Sequence, residues 1–373
     1  MSNRTLVAGS RRIVIKVGSS VLASEEGLLS ERFEALAQEI ARQKQDGRTI
    51  VLVSSGAVAA GRQKLGLAPG KLSVPQSQAA AAAGQSALVV AWEKAFARVG
   101  EKVAQVLLVA DDLSSRARYL NARNTLLTLL EWGVIPVINE NDTVAYAELQ
   151  FGDNDQLAVR IGPMVEADLV ILLTDTDAVY DSDPRLNPAA QPLRELSAVS
   201  PELLAVVGQT PGKFGRGGMR SKLVAAQRAL EAGIPLLVLS GQNSNHLALA
   251  LQGAEIGTLF ASPQHRYQGK KLWLAHLPAA GGSLEIDWGA VSALQKGGSL
   301  LPVGVTKVVG NFKAGDPVYA ANPDSRQIAI GLVNYSASEI ERIRGHHSEE
   351  IEALLGYRHS DEVIHRDNLA LLS

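Results

Sequence analysis

The 373-residue sequence predicts an open α/β sheet, mainly parallel and sandwiched by helices, followed by a small β-rich module. Three observations carry that expectation. Short runs of Val, Ile and Leu recur at Ile13–Val17, Ile50–Val53, Val103–Val109, Val134–Ile138, Leu169–Leu173 and Pro235–Leu239. They are continuous rather than alternating, as in parallel strands covered on both faces. Helix-like stretches lie between them, and such alternation builds an open α/β sheet. After about residue 262 the pattern shifts to short extended pieces with Gly and Pro turns.

Taken in order, Ile13–Val17 runs into Gly18-Ser19-Ser20. In SERFEALAQEIARQ, Phe33, Leu36, Ala37 and Ile40 recur at helical spacing, with Ser30 placed to cap and Glu31 in the first turn. Ile50–Val53 runs into Ser54-Ser55-Gly56, and the alanine-rich QAAAAAGQSALVV suits a buried or half-buried helix. Val134–Ile138 leads to Asn139-Glu140-Asn141-Asp142, and Leu169–Leu173 to Thr174-Asp175. The segment Ser221–Ala232 reads as a helix that stops at Gly233, before the last strand of the sheet. The expected division is a first domain over 1–262, a linker over 263–280, and the β-rich module with its tail over 281–373. In that module GSLEIDWGAV, SLLPVGVTKVVGNF, DPVYAAN and QIAIGLVNY all read as extended.

Composition narrows the function. A net charge of −2 argues against broad nucleic-acid binding, and the absence of cysteine excludes disulfides and thiolate chemistry. The first residues lack a signal-peptide core, and no uncharged run reaches the roughly 18 residues that span a bilayer. The expectation is a soluble, cytoplasmic protein without a membrane partner.

Ligands of open α/β folds sit beyond the carboxyl ends of the strands. Small and polar residues gather at four such ends here, although turn chemistry alone also places Gly, Ser, Asn and Asp there. The stretch GKFGRGGMRSK, residues 212–222, has four glycines, four positive charges and no acid. Its lysine follows the serine, so it is not the common P-loop, yet glycines before a helix start still admit an anion to backbone N–H groups. A flexible basic surface turn is the alternative. Lys16 sits inside an apolar strand, where a buried ammonium needs an anion or carboxylate unless its head snorkels to water. Lys222 stands at a helix start, which disfavours a cation unless an anion intervenes or water solvates it.

Asp153, Asn154 and Asp155 in FGDNDQLA exceed what one helix cap requires. Asn154 could bind an amino-acid substrate while Asp155 orients cations. Asp142 could accept from an ammonium or simply make a turn, and Ser55-Gly56 offers a hydroxyl and an N–H to a carboxylate or a tight turn. The loop TDAVYDSDPRLNP is suited to covering a nucleotide base. No His is placed as a base, and His346-His347 lacks a carboxylate at zincin spacing and reads as surface or packing.

In order, IVIKVGSSVL, IVLVSSGAVAAGR, IPVINENDTVA, GDND, LLTDTDAVYDSDPR, GRGGMRSK and GHHSEEIEALLGY resemble the amino-acid kinase family over about residues 11–365. NEND with GDND resembles the branch that acts on glutamate, rather than those acting on acetylglutamate, aspartate, carbamate or uridylate. The resemblance implies the amino-acid kinase fold and a phosphotransferase with a carboxyl acceptor. Its reaction would be ATP + L-glutamate → ADP + L-glutamyl 5-phosphate, the first step of proline biosynthesis. It further implies Mg²⁺, proline as feedback inhibitor, and a homo-oligomer, dimer or tetramer. By motif position it implies that Lys16 and Lys222 embrace the phosphates and Asp155 holds them. Ser55, Gly56, Asn139, Asp142 and Asn154 would bind glutamate. Lys16, Gly18, Thr174 and Asp175, with Arg216, Gly217, Gly218, Met219, Arg220, Ser221 and Lys222, would bind ATP; no residue is implied as a metal ligand. Ala178 departs from the glycine that relatives often carry there.

The tail resembles a PUA domain, a fold met in RNA-modifying enzymes. RNA binding is not expected of it, because residues 281–359 carry seven Lys and Arg against nine Asp and Glu. The alternatives are another activity of the same family, or an RNA-binding regulator with a kinase-like core. Elementary chemistry agrees with the kinase. A carboxylate is already a nucleophile at neutral pH, so the protein mainly has to align like-charged reactants and neutralise spreading charge.

Overall fold

A computed structural model describes residues 3–24, 26–68, 70–145, 154–184, 186–207, 218–243, 245–262 and 281–372. The chain divides into two compact units, Met1–Arg266 and Tyr267–Ser373. The expected linker, 263–280, lies outside the described residues.

In the first unit, helix α1 (Arg4–Gly9) precedes strand β1 (Arg12–Val17), helix α2 (Ser30–Gln45) and strand β2 (Thr49–Ser54). Helices α3 (Ala57–Leu65) and α4 (Val74–Ala97), strand β3 (Val103–Leu108), helix α5 (Arg116–Glu131) and strand β4 (Ile135–Glu140) follow. Next come α6 (Asn154–Met164), β5 (Leu169–Thr174), β6 (Glu195–Leu196), α7 (Met219–Glu231), β7 (Leu236–Ser240), α8 (His246–Leu251) and β8 (Thr258–Phe260). The eight strands lie in the order β6-β8-β7-β5-β1-β2-β4-β3. Every pairing is parallel except that of β7 with β8.

Why the strands read as unbroken apolar runs is visible in the two cores. Ile13, Ile15 and Val17 enter one core with α2, α4 and α8, while Val14 enters the other with α6 and α7. Leu169, Ile171 and Leu173 alternate with Val170 and Leu172 in the same way. A strand buried on both faces has no polar phase left to show.

The helices follow their sequence signals with one difference. On α2 Phe33, Leu36, Ala37 and Ile40 are all buried. Ser30 is not its cap: it is the first helical residue, and Leu29 holds the cap position without a side-chain bond. Ser73 opens α4 instead, in a reciprocal capping box with Gln76. Two glycines then let α3 and α4 cross at backbone contact. A Cβ on Gly61 would lie 1.7 Å from the Ala80 carbonyl oxygen, and one on Gly84 2.0 Å from that of Ala57.

Glu39 on α2 is buried and its Oε1 accepts from Ala248 N at 2.9 Å, tying α2 to α8. Burial pushes its carboxyl up from 4.5 to about 7, although bonds from Ala248 and Leu247 N–H and the nearby Arg42 oppose the rise. A raised acid contributes stability that is full below its unfolded value and is lost as pH rises through the folded one. Between pH 5 and 8 the wild type should therefore lose about 2 kcal/mol more than Glu39→Gln. Urea unfolding of both proteins at the two pH values checks this, and parallel losses would contradict it.

In the second unit, β9 (Gly282–Ile286), helix α9 (Trp288–Gln295), β10 (Val305–Gly310), β11 (Pro317–Ala321), β12 (Gln327–Leu332), helix α10 (Ala337–Ile343) and β13 (Leu369–Leu371) surround their own core. The five strands order as β10-β9-β11-β12-β13. The extended reading of DWGAV is corrected. Asp287 accepts from Ala290 N at 2.7 Å and caps α9, which buries Val291 and Leu294 one turn apart. His346 is exposed and pairs with Glu350 at 3.3 Å, a surface contact.

Candidate active site

Lys16 is directed by strand parity. It shares its face of β1 with Val14, the face that α6 and α7 cover through Leu157, Ala158, Leu223 and Ala226. Asp155 is in the first turn of α6 and Lys222 in the first turn of α7. All three side chains meet. Lys16 Nζ lies 2.5 Å from Asp155 Oδ1, and Lys222 Nζ 3.0 Å from Asp155 Oδ2. Lys16 is 5% exposed, Lys222 6% and Asp155 0%.

Burial alone would raise the Asp155 carboxyl, but the charges and hydrogen bonds of Lys16 and Lys222 outweigh it and hold it below the ordinary carboxylate value. One carboxylate cannot neutralise two ammonium groups. Here two ammonium groups converge on one carboxylate in a nearly water-free place, an arrangement suited to an anionic ligand. The surroundings leave room for one. A Cβ on Gly18 would stand 3.8 Å from Lys16 Nζ and 3.3 Å from the Leu173 carbonyl oxygen, so the glycine keeps that approach open. Gly218 sits at the cap of α7 without a side-chain bond, which leaves the first-turn N–H groups free of a side-chain cap.

A second cluster hangs from β2, β4 and the start of α6. Asn154 Nδ2 donates to Asn139 Oδ1 at 2.8 Å, to Ser55 Oγ at 3.0 Å and to the Ser54 carbonyl at 3.2 Å. Gly56, next to this cluster, has φ +118°, a backbone state that glycine alone adopts without strain, and α3 begins there. Asp142 is half-buried just past β4. At the end of β5, Thr174 Oγ1 donates to Asp175 Oδ1 at 3.0 Å, and Gly241 N donates to the Thr174 carbonyl at 2.8 Å. Met219, Arg220 and Ser221 form the first turn of α7 beside Lys222. Arg216 and Gly217, with Asp153, lie outside the described residues. Ala178 is fully buried.

Three supporting side chains carried no signal in the sequence reading. Gln85 Oε1 accepts from Asn139 Nδ2 at 2.8 Å. Trp92 Nε1 donates to Ser54 Oγ at 2.8 Å beneath the cluster. Gln156 donates to the Ser221 carbonyl at 3.2 Å and accepts from Arg228 at 2.5 Å, which ties the start of α6 to that of α7. Gln156 follows Asp155 directly, so its position beside the motif was the available clue.

Comparison with known proteins places this geometry. The model of the "Amino acid kinase family" matches residues 11–240, and that of the "PUA domain" residues 282–355. A "Glutamate 5-kinase" of Meiothermus ruber is 52% identical over 364 residues, 97% of this chain and 96% of that protein. That of Thermus thermophilus is 50% identical over 97% of both chains, and that of Geobacter sulfurreducens 48% identical over 97% of this chain and 98% of its own. With likeness at this level along nearly its whole length, the chain belongs to the amino acid kinase family, in its glutamate 5-kinase branch.

Proposed function

We propose that the chain phosphorylates the γ-carboxylate of L-glutamate with ATP, giving L-glutamyl 5-phosphate and ADP, the first step of proline biosynthesis. The observation that carries this reading is the buried Lys16–Asp155–Lys222 triad, in which two ammonium groups converge on one carboxylate. Kinase chemistry with a carboxylate acceptor brings an anion against a polyanion. The two ammonium groups lower that repulsion, and Asp155 keeps both heads at one place so that no reorganisation is needed during transfer.

Each remaining residue has a part in alignment. Lys16 and Lys222 face the transferred phosphoryl group, and Gly18 gives it access. Thr174, Asp175 and the stretch from Arg216 through Gly217 and Gly218 to Lys222 hold the nucleotide. Ser55, Gly56, Asn139, Asp142 and Asn154 hold glutamate. The acceptor needs no general base, because a carboxylate is already ionised at neutral pH.

Mg²⁺ fits this arrangement as part of the nucleotide. Among the described residues no group of three or more His, Asp or Glu side chains is gathered to hold an ion, and Asp155 is engaged by both lysines. When bound with ATP, Mg²⁺ would supply neutralisation of phosphate charge. Proline as feedback inhibitor, a homo-oligomer and a cytoplasmic setting belong to the same reading and rest on the resemblance. No helix among the described residues is long and apolar enough to cross a membrane.

A coupled ADP-release assay tests the proposal. Turnover is expected with L-glutamate and should be at least about a hundredfold weaker with N-acetylglutamate, whose acylated amine is no longer an ammonium, or with aspartate, whose side chain is one methylene too short to bring its carboxylate to the same place. Turnover with either of those instead of glutamate would move the substrate assignment elsewhere in the family.

A further inference from the structure

Helix α4 contributes two amide side chains to the glutamate side of the site. Gln78 and Gln85 are seven residues apart, two helical turns, and so lie on one face. Gln78 Nε2 donates to the Ala145 carbonyl at 3.0 Å, and Gln85 Oε1 accepts from Asn139 Nδ2 at 2.8 Å. The helix thus grips both ends of the segment 139–145, which carries Asp142 between them. Its own placement is stiff, because Gly84 meets the backbone of Ala57 and Gly61.

The direction of the hydrogen bonds matters. The Ser54 carbonyl can only accept, so the group that Asn154 turns to it is its Nδ2. That same nitrogen donates to Asn139 Oδ1, so Asn139 must turn its own Nδ2 the other way, towards Gln85. Gln85 has to present an oxygen. A flipped amide at any point would set like against like, donor facing donor at Asn139 or Gln85 and acceptor facing acceptor at Asn154. Asn139 is 4% exposed, so losing the Gln85 acceptor would strand a buried N–H and favour rotation of Asn139. The chain Gln85–Asn139–Asn154 leaves Asn154 Oδ1 as the oxygen that can accept from a ligand.

We infer that Gln85 is a positioning residue for substrate specificity. Through Asn139 it fixes the amide of Asn154 so that Oδ1 is presented to the α-ammonium of an amino-acid substrate. The inference rests on glutamate being the substrate.

The test compares wild type, Gln85→Met, Asn139→Ala and the double variant, with steady-state kinetics in glutamate and in ATP. Methionine keeps the length and helix preference of glutamine but cannot accept as an amide does. Gln85→Met should raise KM for glutamate roughly tenfold, with KM for ATP within about twofold and the melting temperature near wild type. In the Asn139→Ala background the same change should add nothing, because Gln85 acts through Asn139. An unchanged KM for glutamate, an equal rise in KM for ATP, or additive effects in the double variant would each overturn the inference. Absence of glutamate turnover in the wild type would strike the functional reading first and take this inference with it. Normal wild-type turnover with a normal Gln85→Met variant would strike the inference alone.

Discussion

Lys222→Ala is expected to lower kcat by roughly a thousandfold while leaving glutamate affinity within about threefold of wild type. Lys222 reaches Asp155 Oδ2 from α7, opposite Lys16, which reaches Oδ1 from β1. The amide cluster assigned to glutamate hangs from β2, β4 and α6, so removing a side chain from α7 leaves that cluster in place. On the proposed function, what disappears is one of the two charges that meet the transferred phosphoryl group, a contact that would strengthen as charge spreads in the transition state. The loss therefore belongs in kcat rather than in substrate binding. Arginine should not restore it. The site around Asp155 is closed to solvent, and a longer planar fork cannot take the place of a compact ammonium there. ADP-release kinetics with calorimetric titration of glutamate distinguish the outcomes. A kcat within tenfold of wild type would remove Lys222 from the mechanism, and a parallel loss of glutamate affinity would place it on the acceptor.

The parts of the molecule that were legible in advance are those where a residue conflicts with its surroundings. Lys16 in an apolar strand, Lys222 at a helix start and a surplus of acids and amides at the start of α6 each pose an electrostatic problem, and the structure brings the two lysines and Asp155 together. The strands are legible for a related reason: burial on both faces removes polar interruptions, so the apolar run Ile13–Val17 marks β1, which spans Arg12–Val17. Gln85 was not legible. A glutamine on an alanine-rich helix creates no conflict, and its partner is set by how α4 crosses α3 at Gly61 and Gly84. Strand β13 was missed because three residues carry no period. Leu369–Leu371 pairs with Gly331–Ala329 only through the tertiary fold.

Asp155→Asn should be the most damaging single exchange for stability, costing about 3–5 kcal/mol, or a fall in melting temperature of roughly 10 °C for a domain of this size. The amide keeps the shape but removes the carboxylate with which both ammonium groups, 5% and 6% exposed, are paired. Breaking a buried pair from one side costs more than the pair contributes, because the stranded charge keeps its desolvation penalty. The gap between wild type and variant should also depend on pH in a defined direction. Asp155 is held below its ordinary 3.8, so its contribution is present above that value and is lost as pH falls through the lower folded-state value. Wild type and Asp155→Asn should therefore differ fully at neutral pH and converge only in acid, below about pH 4. Nucleotide provides the second readout. On the proposed function the polyphosphate of ATP is an anion that reaches both lysines, so ATP should raise the melting temperature of the variant by at least as much as that of the wild type, even though turnover collapses. Thermal unfolding with and without ATP, at pH 7 and in acid, measures all three. A variant as stable as wild type would mean that the lysines find another counter-charge and that Asp155 does not hold them. A variant that lost stability but gained none back from ATP would separate the triad from the nucleotide phosphates altogether.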